Sequence, residues 1–419
     1  MRVAILSLIE HVPSTQPGVQ PGLLRGLLPV GGRSLLRHQI GLALHIGAKR
    51  IVVVAEGISA ELVALQHCAE AGGAQFHVVA TARALVPLIL PEDDVIVLGD
   101  GLLAMPDAVR GFLDSGPAVL TLPIETALPL GFERIDLNHA SAAAMRLPGR
   151  VVASLADLPP EWNVQSALLR LAVQARAAMR AIPSAMLDDG RWTMVRSEPE
   201  ALQAEQRWLR LHTDPGDGGK AIPGERLAVA GVRRFGPALL HAGTRPGLVG
   251  LGAGLVLLLA AGLGWLGYHA TAFALVGLGW FIERIASLIG RVERDSLLAA
   301  GLTRHGSAVF HLLIDASLVA LASWRSELRL ITGLPAGAAA FVPLLLVASL
   351  RLVPLALPHR RWASILKDRL LAGLALACAS LLLPFDLAMA VAVLVLLGGC
   401  MWDLQFGKAS PNPQLTTGA

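Results

Sequence analysis

The chain has 419 residues, of which 54% are hydrophobic and 16% charged, and its mean hydropathy is +0.59. This is too apolar for an average soluble protein, and the formal net charge of +4 is modest. The sequence contains no nucleic-acid-binding motif, and its three scattered cysteines indicate neither a disulfide framework nor a zinc site. Charge density is ordinary over residues 1–245, whereas residues 246–403 are mostly Leu, Ala, Gly and Val. A soluble part followed by a membrane part is therefore predicted.

Apolar strands alternate with helices in residues 1–212. Strands are predicted over 3–9, 49–57, 75–81 and 93–101, and helices over 34–47 and 59–71. This alternation predicts a largely parallel α/β sheet. The first strand, within MRVAILSLI, lacks the cleavage pattern of a secretory signal. Ligands of such sheets bind at the carboxyl ends of strands, so Asp100, at one such end, is a candidate binding residue.

Residues 213–245 connect the soluble part to the membrane part. Within 220–245, apolar positions such as Leu227, Val232 and Phe235 follow a helical stripe beside Arg226 and Arg233. This pattern predicts either a basic amphipathic helix on an anionic membrane surface or a simple linker helix, and the sequence favours both equally.

Six apolar segments are predicted in the membrane part, residues 246–403, followed by a tail at 404–419. The segments are 247–267, 270–289, 308–324, 337–357, 370–384 and 386–402, and the count is five if 370–402 is partly re-entrant. Lys and Arg concentrate after the second and fourth segments, so the positive-inside rule places the N-terminal domain and the C-terminus in the cytosol. We therefore expect a multi-pass protein of a bacterial inner (cytoplasmic) membrane.

Four basic residues, Arg360, Arg361, Lys367 and Arg369, follow the fourth segment and contribute to its positive-inside orientation, and one basic residue lies within it. Arg360, Arg361 and Lys367 are better explained by membrane topology than by phosphate binding. Arg351, inside the segment, either snorkels to the head groups or reaches a lipid phosphate.

Two stretches of the soluble part resemble sugar-phosphate and inositol-phosphate nucleotidyltransferases. RGLLPVGGRSLLRHQIGLALHIGAKRIVVV (25–54) resembles the segment before and through their first long helix, and VIVLGDG (95–101) resembles a strand ending in their metal-binding Asp. The resemblance implies an α/β nucleotidyltransferase-like (Rossmann-like) domain with Arg25 and Asp100 in a nucleotide-binding site.

The nucleotidyltransferase motifs are incomplete in this chain. Gly18 and Gly22 stand at the wrong spacing for the family's phosphate-binding loop, and RWTMVRSEPEAL (191–202) has Met194 and Arg196 at the family's second acidic positions. One carboxylate is a poor holder for Mg²⁺ and a triphosphate. Asp100 as a turn residue in a retained fold is therefore favoured over nucleotidyl transfer.

The membrane part resembles CDP-alcohol phosphotransferases, which build phospholipid head groups with six spans behind a juxtamembrane helix. TRPGLVG (244–250) is similar to the segment leading into their first span. Together, the two halves resemble bifunctional inositol-phosphate cytidylyltransferase/phosphatidylinositol-phosphate synthase-like proteins. This implies an integral membrane protein of lipid head-group biosynthesis that transfers a phospho-alcohol from a CDP-linked donor to a lipid or polar alcohol acceptor. Membrane phospholipid and a second copy, in a homodimer, are the other implied partners.

The family's signature places four carboxylates at the ends of the second and third spans. Aligned with ERIASLIGR (283–291), Glu283 takes the first Asp position and Arg291 the position of a signature Arg, while Ala286 replaces the second Asp. Charges of both signs thus end an apolar segment.

The third span, in GSAVFHLLIDAS (306–317), can be aligned in two registers. Starting from Gly306, both Asp positions hold apolar residues. Starting from Ser307, they hold His311 and Asp315, which share one helix face because they are four residues apart.

In the second register, Glu283, His311 and Asp315 would form a reduced site for a divalent metal, Mg²⁺ or Mn²⁺, with Asp315, His311 and Arg291 as catalytic residues. The alternative is a His311–Asp315 hydrogen bond that locks the bundle, with Glu283 paired to Arg284 or Arg291. The chain would then be a degenerate relative acting as a lipid-binding or scaffold subunit, or a transporter of a lipid intermediate. Because two of four carboxylates are missing, the alternative is slightly favoured.

Overall fold

The computed structural model describes residues 1–13, 22–159, 162–213, 222–241, 246–295, 303–330, 335 and 337–406. These residues form two compact units. The first consists chiefly of the α/β part up to Thr213, and the second chiefly of the apolar helices. The predicted phosphate-loop residue Gly18 and most of the predicted tail lie outside the described residues.

The strands all belong to the first unit. They are Arg2–Leu8 (β1), Pro29–Val30 (β2), Arg33–Ser34 (β3), Arg50–Ala55 (β4), Gln75–Val79 (β5), Asp94–Leu98 (β6), Leu102–Ala104 (β7), Ala118–Pro123 (β8), His139–Pro148 (β9), Met179–Ala181 (β10) and Trp192–Met194 (β11). The four predicted strands are confirmed as β1, β4, β5 and β6.

The helices of the first unit lie between these strands. They are Leu35–His45 (α1), Ala60–Ala71 (α2), Ala82–Leu85 (α3), Pro106–Leu113 (α4), Ile124–Ala127 (α5), Arg150–Ala153 (α6), Val164–Gln174 (α7), Ala185–Asp188 (α8) and Glu198–Thr213 (α9). The two predicted helices are confirmed as α1 and α2.

Seven strands form one sheet in the order β10-β8-β9-β6-β1-β4-β5. β1 pairs in parallel with both β4 and β6, whereas β9 runs antiparallel to its neighbours β6 and β8. Alternate side chains of β1 enter two separate apolar cores: Ala4 and Leu6 pack in one, Val3 and Ile5 in the other. The sheet is therefore buried on both faces, as the prediction of a largely parallel α/β fold requires.

The order in which strands are added to the sheet reverses at β1. β4 lies on one side of β1 and β6 on the other, so the loops after β1 and β6 open next to each other at a topological switch point. Asp100 lies in the second of these loops. It is followed by Gly101, whose φ of +83° and whose hypothetical Cβ, 2.4 Å from the Val195 carbonyl oxygen, both require glycine.

The second unit is helical. The helices that lie wholly or mainly in it, with the connector first, are Pro223–His241 (α10), Pro246–Trp265 (α11), His269–Asp295 (α12), Thr303–Arg325 (α13), Ala338–Ala356 (α14), Arg361–Ile365 (α15), Arg369–Leu382 (α16) and Phe385–Phe406 (α17). Residues 233–241 of α10 and 290–295 of α12 belong to the first unit. The helix predicted in the connector is therefore present as α10. Leu227 and Phe235 on it are 58% and 60% exposed, and its placement on a membrane surface or in a linker stays a prediction.

Five of the described helices, α11, α12, α13, α14 and α17, are long and apolar enough to cross a membrane. The chain is therefore a multi-pass membrane protein. The remaining predicted span corresponds to α16, which has only 14 residues. At 1.5 Å per residue it is about 21 Å long, short of the ~30 Å hydrocarbon core. The prediction of six full spans is thus reduced to five spans and one short apolar helix.

Small residues bring α16 close to α12. A Cβ built on Gly373 would lie 2.7 Å from the Phe273 carbonyl oxygen and 3.0 Å from the Gly277 nitrogen. A Cβ on Gly277 would lie 3.1 Å from the Leu370 carbonyl oxygen. These two glycines allow the backbones to touch, which is how membrane helices gain packing energy without a hydrophobic driving force.

Candidate functional site

The first unit holds a polar cavity at its topological switch point. The cavity has a volume of about 180 Å³, and its lining includes Glu10, Arg25, Asp100, Glu133, Gln165, Ser166, Met194 and Arg196. Both predicted nucleotide-site residues, Arg25 and Asp100, are thus brought together. β11 pairs with β7, with Met194 opposite Leu102, and this pairing brings Met194 and Arg196 to the same cavity.

Asp100 is held by the loop after β1. Its Oδ2 accepts hydrogen bonds from the backbone N–H groups of Ile9 (3.2 Å) and Glu10 (3.0 Å), while its Oδ1 is buried and has no hydrogen-bond partner among the described residues. The residue is 3% exposed. Burial raises the pKa of Asp100 to about 6, and the charge of Glu10 adds to this rise, while the two N–H groups and Arg25 oppose it.

Both arginines at the cavity are engaged by carboxylates. Arg25 Nη1 lies 2.5 Å from Glu10 Oε2, and Arg196 Nη2 lies 2.9 Å from Glu200 Oε1. Arg196 places positive charge beside the carboxylates that would have to hold a Mg²⁺ ion for the triphosphate, and this charge opposes binding of the metal. The donor set at this cavity therefore does not fit a metal-bound nucleoside triphosphate.

In the second unit, two of the three predicted metal ligands approach each other. Glu283 is 6% exposed on α12, and its Oε2 lies 3.8 Å from Nε2 of His311 on α13. Ser307 Oγ donates a 2.9 Å hydrogen bond to the other carboxylate oxygen, Oε1. Glu283 Oε2 is buried and accepts no hydrogen bond from any residue that the structure describes.

The third predicted ligand, Asp315, is hydrogen-bonded to two arginine side chains. Arg369 Nε donates a 2.8 Å hydrogen bond to its Oδ1, Arg351 Nε donates to its Oδ2, and Arg351 Nη2 lies 3.3 Å from the His311 carbonyl oxygen. Asp315 is 6% exposed. In the described part of the chain, no group of three His, Cys, Asp or Glu side chains could hold a metal ion.

The contacts expected in the alternative interpretation also differ. Arg284 forms its ion pair with Glu225 of α10, not with Glu283, and Asp315 bonds to arginines, not to the His311 side chain. Arg291 is exposed on α12, eight residues beyond Glu283.

Sequence reasoning missed the main partner of Asp315. From the sequence, Arg369 is expected only to contribute to the positive charge of the loop after the fourth segment, whereas in the structure it is 7% exposed. The available signal was Asp315 itself. A carboxylate within an apolar span needs a cation, and Arg351 lies inside one neighbouring apolar segment while Arg369 directly precedes another.

Comparison with known proteins adds little to these observations. No protein-family profile matches the chain, and no curated protein matches it. Among solved structures, UDP-glucose pyrophosphorylase from Acinetobacter baumanii aligns with 51% of this chain and 95% of its own length, at 12% identity and a TM-score of 0.36. A score this low supports no conclusion about function, and the fold assignment follows from the sheet and helices themselves.

Proposed function

We propose that this protein is a membrane component of lipid head-group metabolism whose helical unit binds a phosphate-bearing lipid without metal-dependent transfer. The supporting observation is the cluster of Asp315, Arg351 and Arg369. The nucleotidyltransferase-like α/β architecture and the apolar helices are compatible with such a role.

The cluster has a surplus of positive charge. One carboxylate faces two guanidinium groups, so the formal sum is +1. Arg369 is buried, while the Arg351 side chain is 42% exposed. A guanidinium has five N–H donors in a fork that matches phosphate oxygens, so Arg351 has donors left for an anionic head group.

The same cluster opposes binding of a divalent metal. Both oxygens of Asp315 already accept from arginine, and two guanidinium groups would repel a cation at that position. Glu283 and His311 alone are too few for Mg²⁺, which prefers octahedral oxygen ligands. No transfer step is therefore assigned to Asp315.

A lipid-binding assay tests this proposal. We expect the purified full-length protein to retain anionic phospholipid in native mass spectrometry, and Arg351→Gln to retain markedly less. The matched control is Arg325→Gln at the C-terminal end of α13, where Arg325 pairs with Glu327, and it should retain lipid as wild type does. Equal retention by wild type and Arg351→Gln would overturn the proposal.

A second candidate is residual CDP-alcohol phosphotransferase activity. It is supported by Glu283, a buried carboxylate whose Oε2 faces His311 and accepts no hydrogen bond from the described residues. Such a pair could take a proton from an attacking hydroxyl. Release of CMP from a CDP-activated lipid with Mn²⁺ or Mg²⁺, lost in Glu283→Gln and retained in Asp100→Asn, would establish this activity and refute the non-catalytic proposal.

A further inference from the structure

The helical unit contains an apolar cavity of about 440 Å³ between α14, α16 and α17. Five alanines on two helices provide much of its space: Ala372, Ala375, Ala379, Ala388 and Ala392. On each helix these residues recur at intervals of three or four, so each helix presents one small-residue face to the cavity. The volume is within the ~300–1,000 Å³ range of small-molecule sites.

The lining excludes most kinds of ligand. Asp368 is the one charged or polar side chain in the wall that the structure describes. Both its oxygens are satisfied: Oδ2 accepts from the N–H of Gly224 at 2.6 Å, and Oδ1 accepts from Leu370 and Leu371 at 3.1 and 3.2 Å. An apolar cavity does not hold ordered water, because water needs several polar partners. A hydrocarbon is the chemistry that fits.

The cavity also opens sideways. Ala375 lines it and is nevertheless exposed. Because α14 and α17 are long and apolar enough to span a membrane, a sideways opening at the level of α16 faces lipid. An acyl chain can therefore enter from the bilayer without crossing water.

We infer that this cavity holds one acyl chain of a membrane phospholipid. On α16 it extends from Leu371 to Leu383 just beyond the helix end, which is about 18 Å at 1.5 Å per residue. One leaflet occupies about half of the ~30 Å hydrocarbon core, or roughly 15 Å. The length of the cavity therefore matches a single chain within one leaflet.

Positive charge lies at one end of this cavity. Leu350 and Asp368 line it, and their immediate neighbours in sequence are Arg351 and Arg369. The exposed Lys367 is in the same loop. An apolar cavity that ends beside arginines fits a lipid whose anionic head group is joined to an acyl chain. The inference deepens the proposed function, because it assigns the hydrocarbon part of the same lipid, but its test is separate.

The test uses full-length protein in nanodiscs that contain a phospholipid with a photoreactive group in its acyl chain. Wild type should cross-link at α16 and α17 residues that line the cavity. Ala392→Trp fills the cavity and should lower this cross-linking about tenfold, which corresponds to the lost burial of about two methylene groups. Leu394→Trp, at a position on α17 that is 70% exposed and outside the cavity, should leave it unchanged.

A second variant controls for the possibility that Ala392→Trp disrupts the fold. Ala375→Leu adds volume at the exposed mouth of the cavity and should also lower cross-linking, while the elution profile in size exclusion stays that of wild type. The inference would be overturned if Ala392→Trp and Ala375→Leu both cross-link as strongly as wild type does. Cross-links spread evenly over exposed helix faces, or cross-links to a second copy through these helices, would also overturn it.

The outcomes separate the two proposals. If Ala392→Trp loses the chain cross-link while Arg351→Gln retains anionic lipid normally, the cavity assignment holds and the head-group proposal fails. If Arg351→Gln loses anionic lipid while Ala392→Trp cross-links as wild type does, the head-group proposal holds and the cavity assignment fails.

Discussion

Arg369 donates a hydrogen bond from Nε to Oδ1 of Asp315 over 2.8 Å, and both side chains are 8% exposed. The two residues are 54 positions apart in sequence, so this contact ties α13 to the start of α16. A carboxylate that the sequence suggests as a metal ligand is thereby neutralised by the protein itself.

Removal of Asp315 should destabilise the helical unit. Asp315→Leu leaves Arg369 buried without its carboxylate, and breaking one side of a buried pair costs about 3–5 kcal/mol. We expect a lower thermal unfolding temperature in detergent, and partial recovery in the double variant Asp315→Leu/Arg369→Met. If Asp315→Leu unfolds at the wild-type temperature, the ion pair does not stabilise the bundle.

The glycine contact between α12 and α16 should tolerate no side chain. Gly373→Val places methyl groups against the Phe273 carbonyl oxygen and the Gly277 backbone, so α16 must move away from α12, at a cost of about 1–3 kcal/mol. Gly398→Val is the matched control, because nothing lies within 4 Å of a Cβ at that position. Thermal unfolding should separate the two variants, and equal stability would contradict the close contact.

Asp100 should make the first unit less stable as pH rises. Its pKa in the folded protein is about 6, against 3.8 for an unperturbed Asp, so the folded state binds this proton more tightly than the unfolded state. Its favourable contribution is complete below pH 3.8 and is lost as pH rises through 6, by about 3 kcal/mol in total.

Hydrogen exchange of the β1 and β6 amides, corrected for intrinsic rates, measures this effect. Because His38 acts in the opposite direction over the same range, the quantity to compare is the difference between proteins: relative to Asp100→Asn, which cannot ionise, the opening free energy of wild type should fall between pH 4 and pH 7. An identical pH dependence in the two proteins would show that another group is responsible.

His38 should have the opposite pH dependence. Burial lowers the pKa of His38 from 6.5 to about 4, partly offset by the Val30 carbonyl oxygen 2.8 Å from Nε2, and the nearby His212, Arg37 and Arg33 lower it further. Its contribution to stability is complete above pH 6.5 and is lost as pH falls through 4, by about 3 kcal/mol in total.

His38→Gln should reduce this acid sensitivity, because the Gln side chain does not titrate and can still donate to Val30. The readout is the opening free energy of the α1 amides between pH 7 and pH 4. A wild-type response in the variant would assign the acid sensitivity to a different residue.

Much of the sheet could be predicted from sequence, because β1, β4 and β6 are continuous apolar runs bounded by turns. β9, His139–Pro148, was missed. Its residues ASAAAM have low strand propensity, and only pairing with β6 and β8 makes them a strand.

The candidate sites were predictable only in part. The role of Asp100 as a candidate binding residue could be predicted from its position at a strand end. The approach of Glu283 to His311 could be predicted from the register of α13. The partners of Asp315 could not be derived, because Arg351 and Arg369 are 36 and 54 positions away and reach it through tertiary packing between helices. Apolar periodicity identifies helices but does not say which charged side chains meet.

The 14-residue length of α16 has a consequence for the surrounding bilayer. A helix about 21 Å long beside full-length neighbours creates hydrophobic mismatch, which lipids relieve by local thinning. Phospholipids with short or unsaturated chains should therefore be enriched at this side of the protein, and thin membranes should suit it better than thick, sterol-rich ones.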